Sequence, residues 1–149
     1  MIRSPIFAPL TGGSPAQQLM HRARMFKKAA DELVAYSNGE QFLPKYALLT
    51  HAMELALKAF AAYSVAAGKP EGGHISNHDL RGWYRRALQY GLAENPTVTK
   101  YIEALQEAHF THYLRYPKEL TAPLPDLSVI VDYTIEYLFD NFTPLINPR

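Results

Sequence analysis

Apolar residues recur at steps of three and four along most of the chain, which is the spacing of one face of an α-helix. Ser14-Pro15-Ala16-Gln17 combines an N-cap Ser, an early Pro and a Gln three residues on, so it predicts the start of a first helix as a capping box. Ser37-Asn38-Gly39 predicts its left-handed stop. The apolar stripe between them consists of Leu19, Met20, Ala23, Phe26, Ala30, Leu33 and Val34.

Two further helices follow in the middle of the chain. The second opens near Pro44 and runs to Ala67, and because it is apolar on nearly every side we expect it to be central. The third is predicted from Asn77, as its N-cap, to Tyr90, with Gly91 as its stop.

The last two helices complete an all-α pattern. Asn95-Pro96 begins the fourth, which ends before Pro117, and apolar positions up to Phe142 define one face of the fifth. Two prolines predict a non-helical tail over residues 144–149. Mostly short connections favour an up-and-down antiparallel bundle of four to five helices, formed by residues 14–143 after a flexible arm of residues 1–13.

Composition narrows the class of protein. The 149 residues suit one domain, and 48% hydrophobic against 19% charged residues excludes a disordered chain. A formal net charge of +1 gives no global attraction to nucleic acid or to an anionic membrane. Zero Cys excludes disulfides, thiolate zinc sites and cysteine nucleophiles. No apolar stretch is long enough to span a membrane and none at the start resembles a signal peptide, so we expect a cytoplasmic protein.

A polar stripe runs along the otherwise apolar second helix. His51, Glu54 and Lys58 are spaced so that they share one face. They either face solvent, where a Glu–Lys pair contributes little, or line a polar pocket between helices, where burial would require them to pair with one another or with a ligand.

Histidines occur in two further clusters. His74, His78 and Asp79 surround the start of the third helix, and His109 and His112 lie at the end of the fourth. Each set could in principle ligate a metal, but neither has the three-ligand spacing of a catalytic zinc motif. We therefore expect no metal and no cofactor, and Asp79 is explained as a carboxylate favoured by the helix dipole.

The third helix also carries basic and aromatic residues together. Such an arrangement is typical of a nucleic-acid-binding patch, in which cations neutralise phosphates and rings stack on bases. The alternative is that the aromatic residues belong to the core or to a dimer interface. The candidate patch consists of Arg81, Trp83, Arg85 and Arg86.

Several of these motifs, taken in order, resemble the HEPN superfamily of small helical bundles. The run from Tyr46 to Phe60, with its Glu and Lys, looks like the second helix of that family and is followed by a Gly-containing loop. His78-Asp79-Leu80 comes next, and Leu114-Arg115-Tyr116-Pro117 lies where the family often has an Arg. The similarity covers about residues 19–142.

The resemblance implies a homodimer with a place in toxin–antitoxin, defence or nucleotide-related systems, with a nucleotidyltransferase or an antitoxin as a partner protein. Catalytic members of the family are metal-independent ribonucleases that carry an Arg followed, after a short spacer, by a His. No His follows Arg115 anywhere in this sequence, and no other Arg has one at that spacing. The obvious general acid–base group is thus missing.

The favoured hypothesis is a catalytically silent, dimeric HEPN-like module that binds a nucleotide, RNA or a protein partner in a cleft. The residues expected to line the cleft are His51, Glu54, Lys58, His78, Asp79 and Arg115. Two alternatives remain open. One is a ribonuclease with a displaced site formed by His109, His112 and Arg115, and the other is a purely structural interaction protein.

Overall fold

A computed structural model of the chain describes residues 13–33, 43–110 and 130–147, and every regular element within these ranges is helical. A π-helical turn, Ile130–Ile135, leads directly into the last helix. The all-α bundle predicted from the sequence is confirmed. Its helices are α1 (Pro15–Glu32), α2 (Leu43–Ala66), α3 (Leu80–Gln89), α4 (Pro96–Phe110) and α5 (Glu136–Ile146).

Helix α2 is the centre of the bundle, as its sequence predicts. It packs against α1, α3, α4, α5 and the π-helical turn. Apolar residues on almost every side of α2 are therefore covered, and burial of that surface is the main favourable term in forming the bundle. The fully buried side chains of α2 include Leu49, Met53 and Leu57.

Helix α1 begins as predicted and ends earlier than predicted. The Gln17 backbone N–H donates to Ser14 Oγ, and the Ser14 N–H donates to Gln17 Oε1, both at 3.1 Å, which completes the capping box. The helix stops at Glu32, because Leu33 turns into extended backbone and its carbonyl accepts a hydrogen bond from Lys45 Nζ at 3.3 Å. The predicted continuation of the helix through Leu33 is therefore wrong, and Val34 lies outside the described residues.

The N-cap of helix α3 lies two residues later than predicted. Asp79, not Asn77, is the N-cap, and its carboxylate accepts the Gly82 N–H at 3.0 Å. His78 adopts a left-handed backbone conformation with φ +66°, which a helix cannot contain. The predicted start at Asn77 is wrong for this reason.

Glycines with positive φ end α2 and α3. Gly68 has φ +108° and Gly91 has φ +111°. After each of them the chain makes the paired backbone hydrogen bonds of a Schellman motif, for example Leu92 N–H to the Ala87 carbonyl at 3.0 Å. Asn95 then caps α4 by accepting the Thr97 N–H at 3.0 Å, as predicted.

Helix α5 corrects the prediction of a non-helical tail. It continues through Pro144 to Ile146, which is buried. The Gln17 side chain donates to the Ile146 carbonyl at 3.2 Å, so packing and a cross-bundle hydrogen bond stabilise a last turn that contains proline. The proline removes one backbone donor there, and tertiary contacts outweigh that loss.

Some predicted features lie outside the described residues. They are most of the N-terminal arm, the stop at Ser37-Asn38-Gly39, the end of the fourth helix before Pro117, and the candidate site residues His112 and Arg115. Among the helices that are described, none is both long and apolar enough to cross a membrane.

Candidate functional site

The most unusual feature of the interior is a carboxylate at the centre of the bundle. Glu54, on α2, is 1% exposed. Its Oε2 lies 2.6 Å from Lys58 Nζ, one turn further along the same helix. Its Oε1 lies 2.7 Å from His109 Nε2 on α4 and 3.2 Å from His78 Nδ1, which precedes α3. We call these four residues the Glu54 cluster.

The surroundings of Glu54 keep it ionised. Burial by itself would raise the pKa of a carboxyl group, because a charge loses its hydration there. Hydrogen bonds from His109 and Lys58, together with their charges, outweigh that effect and lower the pKa of Glu54 to about 2. The cluster therefore contains a permanent buried negative charge that depends on its partners.

His78 reaches the cluster through strained backbone. Positive φ is uncommon for residues other than Gly, although His adopts it more readily than most. The imidazole is 23% exposed and lies edge-on to the His109 ring, with 5.1 Å between ring centroids. His78 thus lies on the solvent side of the cluster, while Glu54 and His109 lie inside.

Asp79 was predicted to line the cleft, and the structure gives it a different set of contacts. Besides capping α3, its Oδ1 accepts the Gln106 side-chain amide at 2.8 Å. Gln106 in turn accepts the Arg81 backbone N–H at 2.6 Å. These hydrogen bonds join the start of α3 to α4 and so position the neighbouring His78.

His51 also lies apart from the Glu54 cluster. Its ring contacts Phe26 of α1 edge-on, at 4.4 Å between centroids. The predicted stripe of His51, Glu54 and Lys58 is therefore divided, with its first member packed towards α1 and the other two turned towards α3 and α4.

Beside the cluster lies an open groove of about 610 Å³ between α2, α3 and the loop that joins them. Lys58 connects the two, because its ammonium also donates to Asn77 Oδ1 at 3.1 Å and lies 5.4 Å from the centroid of the Trp83 ring. The polar and aromatic side chains that line the groove include Lys58, Glu71, His74, Trp83, Arg86 and Tyr90.

Arg86 is held in the groove by the glycine-rich loop. Its Nη2 donates to the Gly73 carbonyl at 2.7 Å, and its guanidinium lies 5.9 Å from the centroid of the Tyr90 ring. Gly72 packs directly against the guanidinium, where a Cβ atom would collide with it. The Tyr90 hydroxyl donates to the Pro70 carbonyl at 2.9 Å and fixes the base of the same loop.

The predicted nucleic-acid patch is split between two faces of α3. Arg81 Nε pairs with Glu103 Oε2 at 2.6 Å, and Arg85 approaches the same carboxylate at 4.0 Å. Trp83 and Arg86 line the groove instead. Among the described residues, the buried Trp83 Nε1 has no hydrogen-bond acceptor.

Sequence reasoning placed His109 in the alternative ribonuclease site and in a possible metal-ligating pair with His112, and it missed the contact of His109 with Glu54. A signal was present, because His109 continues the buried stripe formed by Val98, Ile102 and Leu105 at helical spacing. A histidine on a buried face needs a polar partner, and Glu54 was the one carboxylate on the most apolar helix.

Comparison of the chain with protein-family models, with curated proteins and with solved structures gives no significant match. Function is therefore inferred from the residues of the site and their geometry.

Proposed function

We propose that the protein is a catalytically silent, dimeric HEPN-like module that binds a nucleotide in the groove beside Lys58. The observation that carries this proposal is the convergence of two cationic groups and an aromatic ring, from Lys58, Arg86 and Trp83, on one groove of about 610 Å³. This volume is in the range of small-molecule sites. A nucleotide combines the two chemistries that such a lining recognises, an anionic phosphate and a flat base.

The phosphate end would bind between Lys58 and Arg86. An ammonium group has three N–H donors, and Glu54 and Asn77 accept two of them, so one donor of Lys58 remains for a ligand. The guanidinium of Arg86 has five donors, and the Gly73 carbonyl accepts one. Both cations are already positioned by protein contacts, which lowers the entropy cost of binding.

The base would stack on the aromatic side of the groove. Trp83 and Tyr90 both line it. Stacking of a base on an aromatic side chain contributes about 1–3 kcal/mol and tolerates any base. The arrangement therefore favours nucleotide binding without strong base selectivity.

A mononucleotide fits these residues better than an RNA strand. A strand needs a track of cations along successive phosphates. Arg81 and Arg85 face Glu103 on the other side of α3, and the net charge of the chain is only +1. The groove thus offers one phosphate site, not a track. The partner proteins suggested by the resemblance, a nucleotidyltransferase or an antitoxin, are compatible with a nucleotide-responsive module.

The alternative ribonuclease site has weak support in the described part of the chain. The His109 side chain is 5% exposed and contacts Glu54, so it is poorly placed to reach the hydroxyl of an RNA substrate. His112 and Arg115 lie outside the described residues.

Intrinsic fluorescence tests the proposal directly, because Trp83 is the single tryptophan of the chain and lines the groove. Titration with AMP, ADP and ATP in EDTA is expected to change the fluorescence saturably, and a nucleoside without phosphate is expected to bind more weakly. Arg86→Met should weaken binding at least about tenfold, which corresponds to loss of one charge-assisted contact. The matched control is Lys100→Met, which removes an exposed cation from α4 and should leave binding unchanged.

Two results would contradict the proposal. The absence of a saturable change with any of the three nucleotides up to about 1 mM, the limit of weak binding, would exclude a functional mononucleotide site. Binding of single-stranded RNA without binding of mononucleotides would favour the RNA hypothesis instead.

A further inference from the structure

Three side chains of the Glu54 cluster converge from separate elements with ligand atoms directed at one another. Glu54 Oε1, His78 Nδ1 and His109 Nε2 all lie within 4.8 Å of one another. They come from α2, from the loop before α3 and from α4, so the convergence is a product of the tertiary fold. All three residues belong to the described part of the chain.

The two distances from Glu54 Oε1 to the imidazole nitrogens are close to those of a tetrahedral metal site. With metal–ligand bonds of about 2.0–2.1 Å, two ligands of a tetrahedral Zn²⁺ lie about 3.3 Å apart. The Oε1–Nδ1 distance of 3.2 Å already matches, and the Oε1–Nε2 distance of 2.7 Å must widen by about 0.6 Å. Side-chain torsions of Glu54 and His109 can supply a change of that size.

The donor set selects the class of metal. Two imidazole nitrogens and one carboxylate oxygen suit Zn²⁺ and other divalent transition ions, whereas Mg²⁺ and Ca²⁺ prefer oxygen ligands alone. Three protein ligands leave one tetrahedral position for water. His78 is the most exposed of the three, with 23% of its side chain accessible, so entry and the open position are expected on its side.

The backbone of His78 supports such a site, and the charge of Lys58 limits its affinity for a cation. The left-handed backbone of His78 is the kind of local strain that persists where the surrounding structure requires a side chain in one place. Lys58 contacts Oε2, the carboxylate oxygen away from the two imidazoles, and leaves Oε1 for the metal. Its positive charge must nevertheless weaken the affinity for a cation nearby.

We propose that Glu54, His78 and His109 form a binding site for a divalent transition-metal ion, with zinc as the reference ion and Lys58 as an outer residue that limits the affinity. The three proposed ligands do not line the nucleotide groove, although Lys58 contacts both sites. Because the nucleotide test is carried out in EDTA, either proposal can fail alone.

Calorimetric titration of the metal-free protein with ZnCl₂ is expected to show one site, and Co²⁺ is expected to give the intense visible absorption of tetrahedral coordination. His78→Asn should weaken zinc binding at least about 100-fold. Loss of an outer-shell partner already costs up to about 100-fold, and loss of a direct ligand should cost no less. Asn is chosen because it tolerates positive φ and so preserves the loop. His109→Gln should have a similar effect, and circular dichroism verifies that both variants are folded.

The control variant is His21→Gln, which removes a histidine of α1 far from the cluster in sequence and should bind zinc like the wild type. Lys58→Met should bind zinc more tightly, because it removes the opposing charge. Zinc binding that persists in the double variant His78→Asn/His109→Gln would overturn the assignment, as would weak octahedral Co²⁺ spectra in the wild type or unchanged affinity in Lys58→Met.

Discussion

The buried pair of Glu54 and Lys58 predicts strong energetic coupling between two residues one turn apart on α2. Glu54 is 1% exposed, and the Lys58 side chain retains 20% exposure. Removing one member of a buried pair costs about 3–5 kcal/mol, since the other charge is left without compensation. Because Lys58 is partly accessible and His109 also contacts Glu54, we expect about 3 kcal/mol for Lys58→Met, at the lower end of that range.

The charge-neutral change Glu54→Gln should cost less. Lys58 can turn its ammonium towards water, and the amide can still accept one hydrogen bond, so about 2 kcal/mol is expected, the loss of hydrogen bonds to a charged group. The double variant should cost about 3 kcal/mol, not the sum of the two single changes. The coupling energy is then about 2 kcal/mol, within the range measured for residues in direct contact.

The chain offers a matched control in Lys27 and Asp31 on α1. This pair has the same i,i+4 spacing and a similar distance of 2.7 Å, but its side chains are 24% and 46% exposed. The cycle of Lys27→Met and Asp31→Asn should therefore give only about 0.3–0.5 kcal/mol of coupling, as for other exposed helical pairs.

Both cycles can be measured by urea unfolding in EDTA, followed by circular dichroism, with unchanged m-values as the criterion for a common unfolding reaction. If the coupling of Glu54 and Lys58 does not exceed that of Lys27 and Asp31, burial does not strengthen the pair and the reasoning from the structure is refuted.

Three further predictions concern assembly, catalysis and helix termination. Light scattering should give twice the chain mass of 16.8 kDa, which is the mass of a dimer. The reason is that described apolar side chains such as Phe110 and Tyr133 are 47% and 57% exposed. A monomer at micromolar concentration would contradict this prediction. Labelled single-stranded RNA should remain intact with or without EDTA, and cleavage that is lost in His112→Ala would instead establish the ribonuclease alternative. Gly91→Ala should lower the free energy of unfolding in urea by about 1–2 kcal/mol, because φ is +111° there. A Cβ atom would lie more than 4 Å from the atoms of any residue other than its chain neighbours, so no new packing contact would offset the backbone strain. An unchanged unfolding midpoint would argue against that strain.

Local signals in the sequence account for most of the helices. The capping box at Ser14, the stops at Gly68 and Gly91 and the cap at Asn95 each depend on side-chain or backbone chemistry within a few residues, and each was therefore predictable. The central position of α2 followed from its apolar surface alone. Contacts from distant residues decided the end of α5, where Gln17 and the burial of Ile146 extended the helix past Pro144. The start of α3 instead moved to Asp79 because of the local backbone conformation of His78.

The candidate site shows the same division. The sequence by itself determined that Glu54 and Lys58 share a face of an apolar helix, since helical periodicity requires it. Only the tertiary structure decided that His109 and His78 complete the cluster, because the order of the helices along the chain does not specify which rotation brings α4 and the α3 loop against Glu54. That rotation is set by the packing of all the buried faces together, and it also turned His51 towards α1 and divided the basic residues of α3 between Glu103 and the groove.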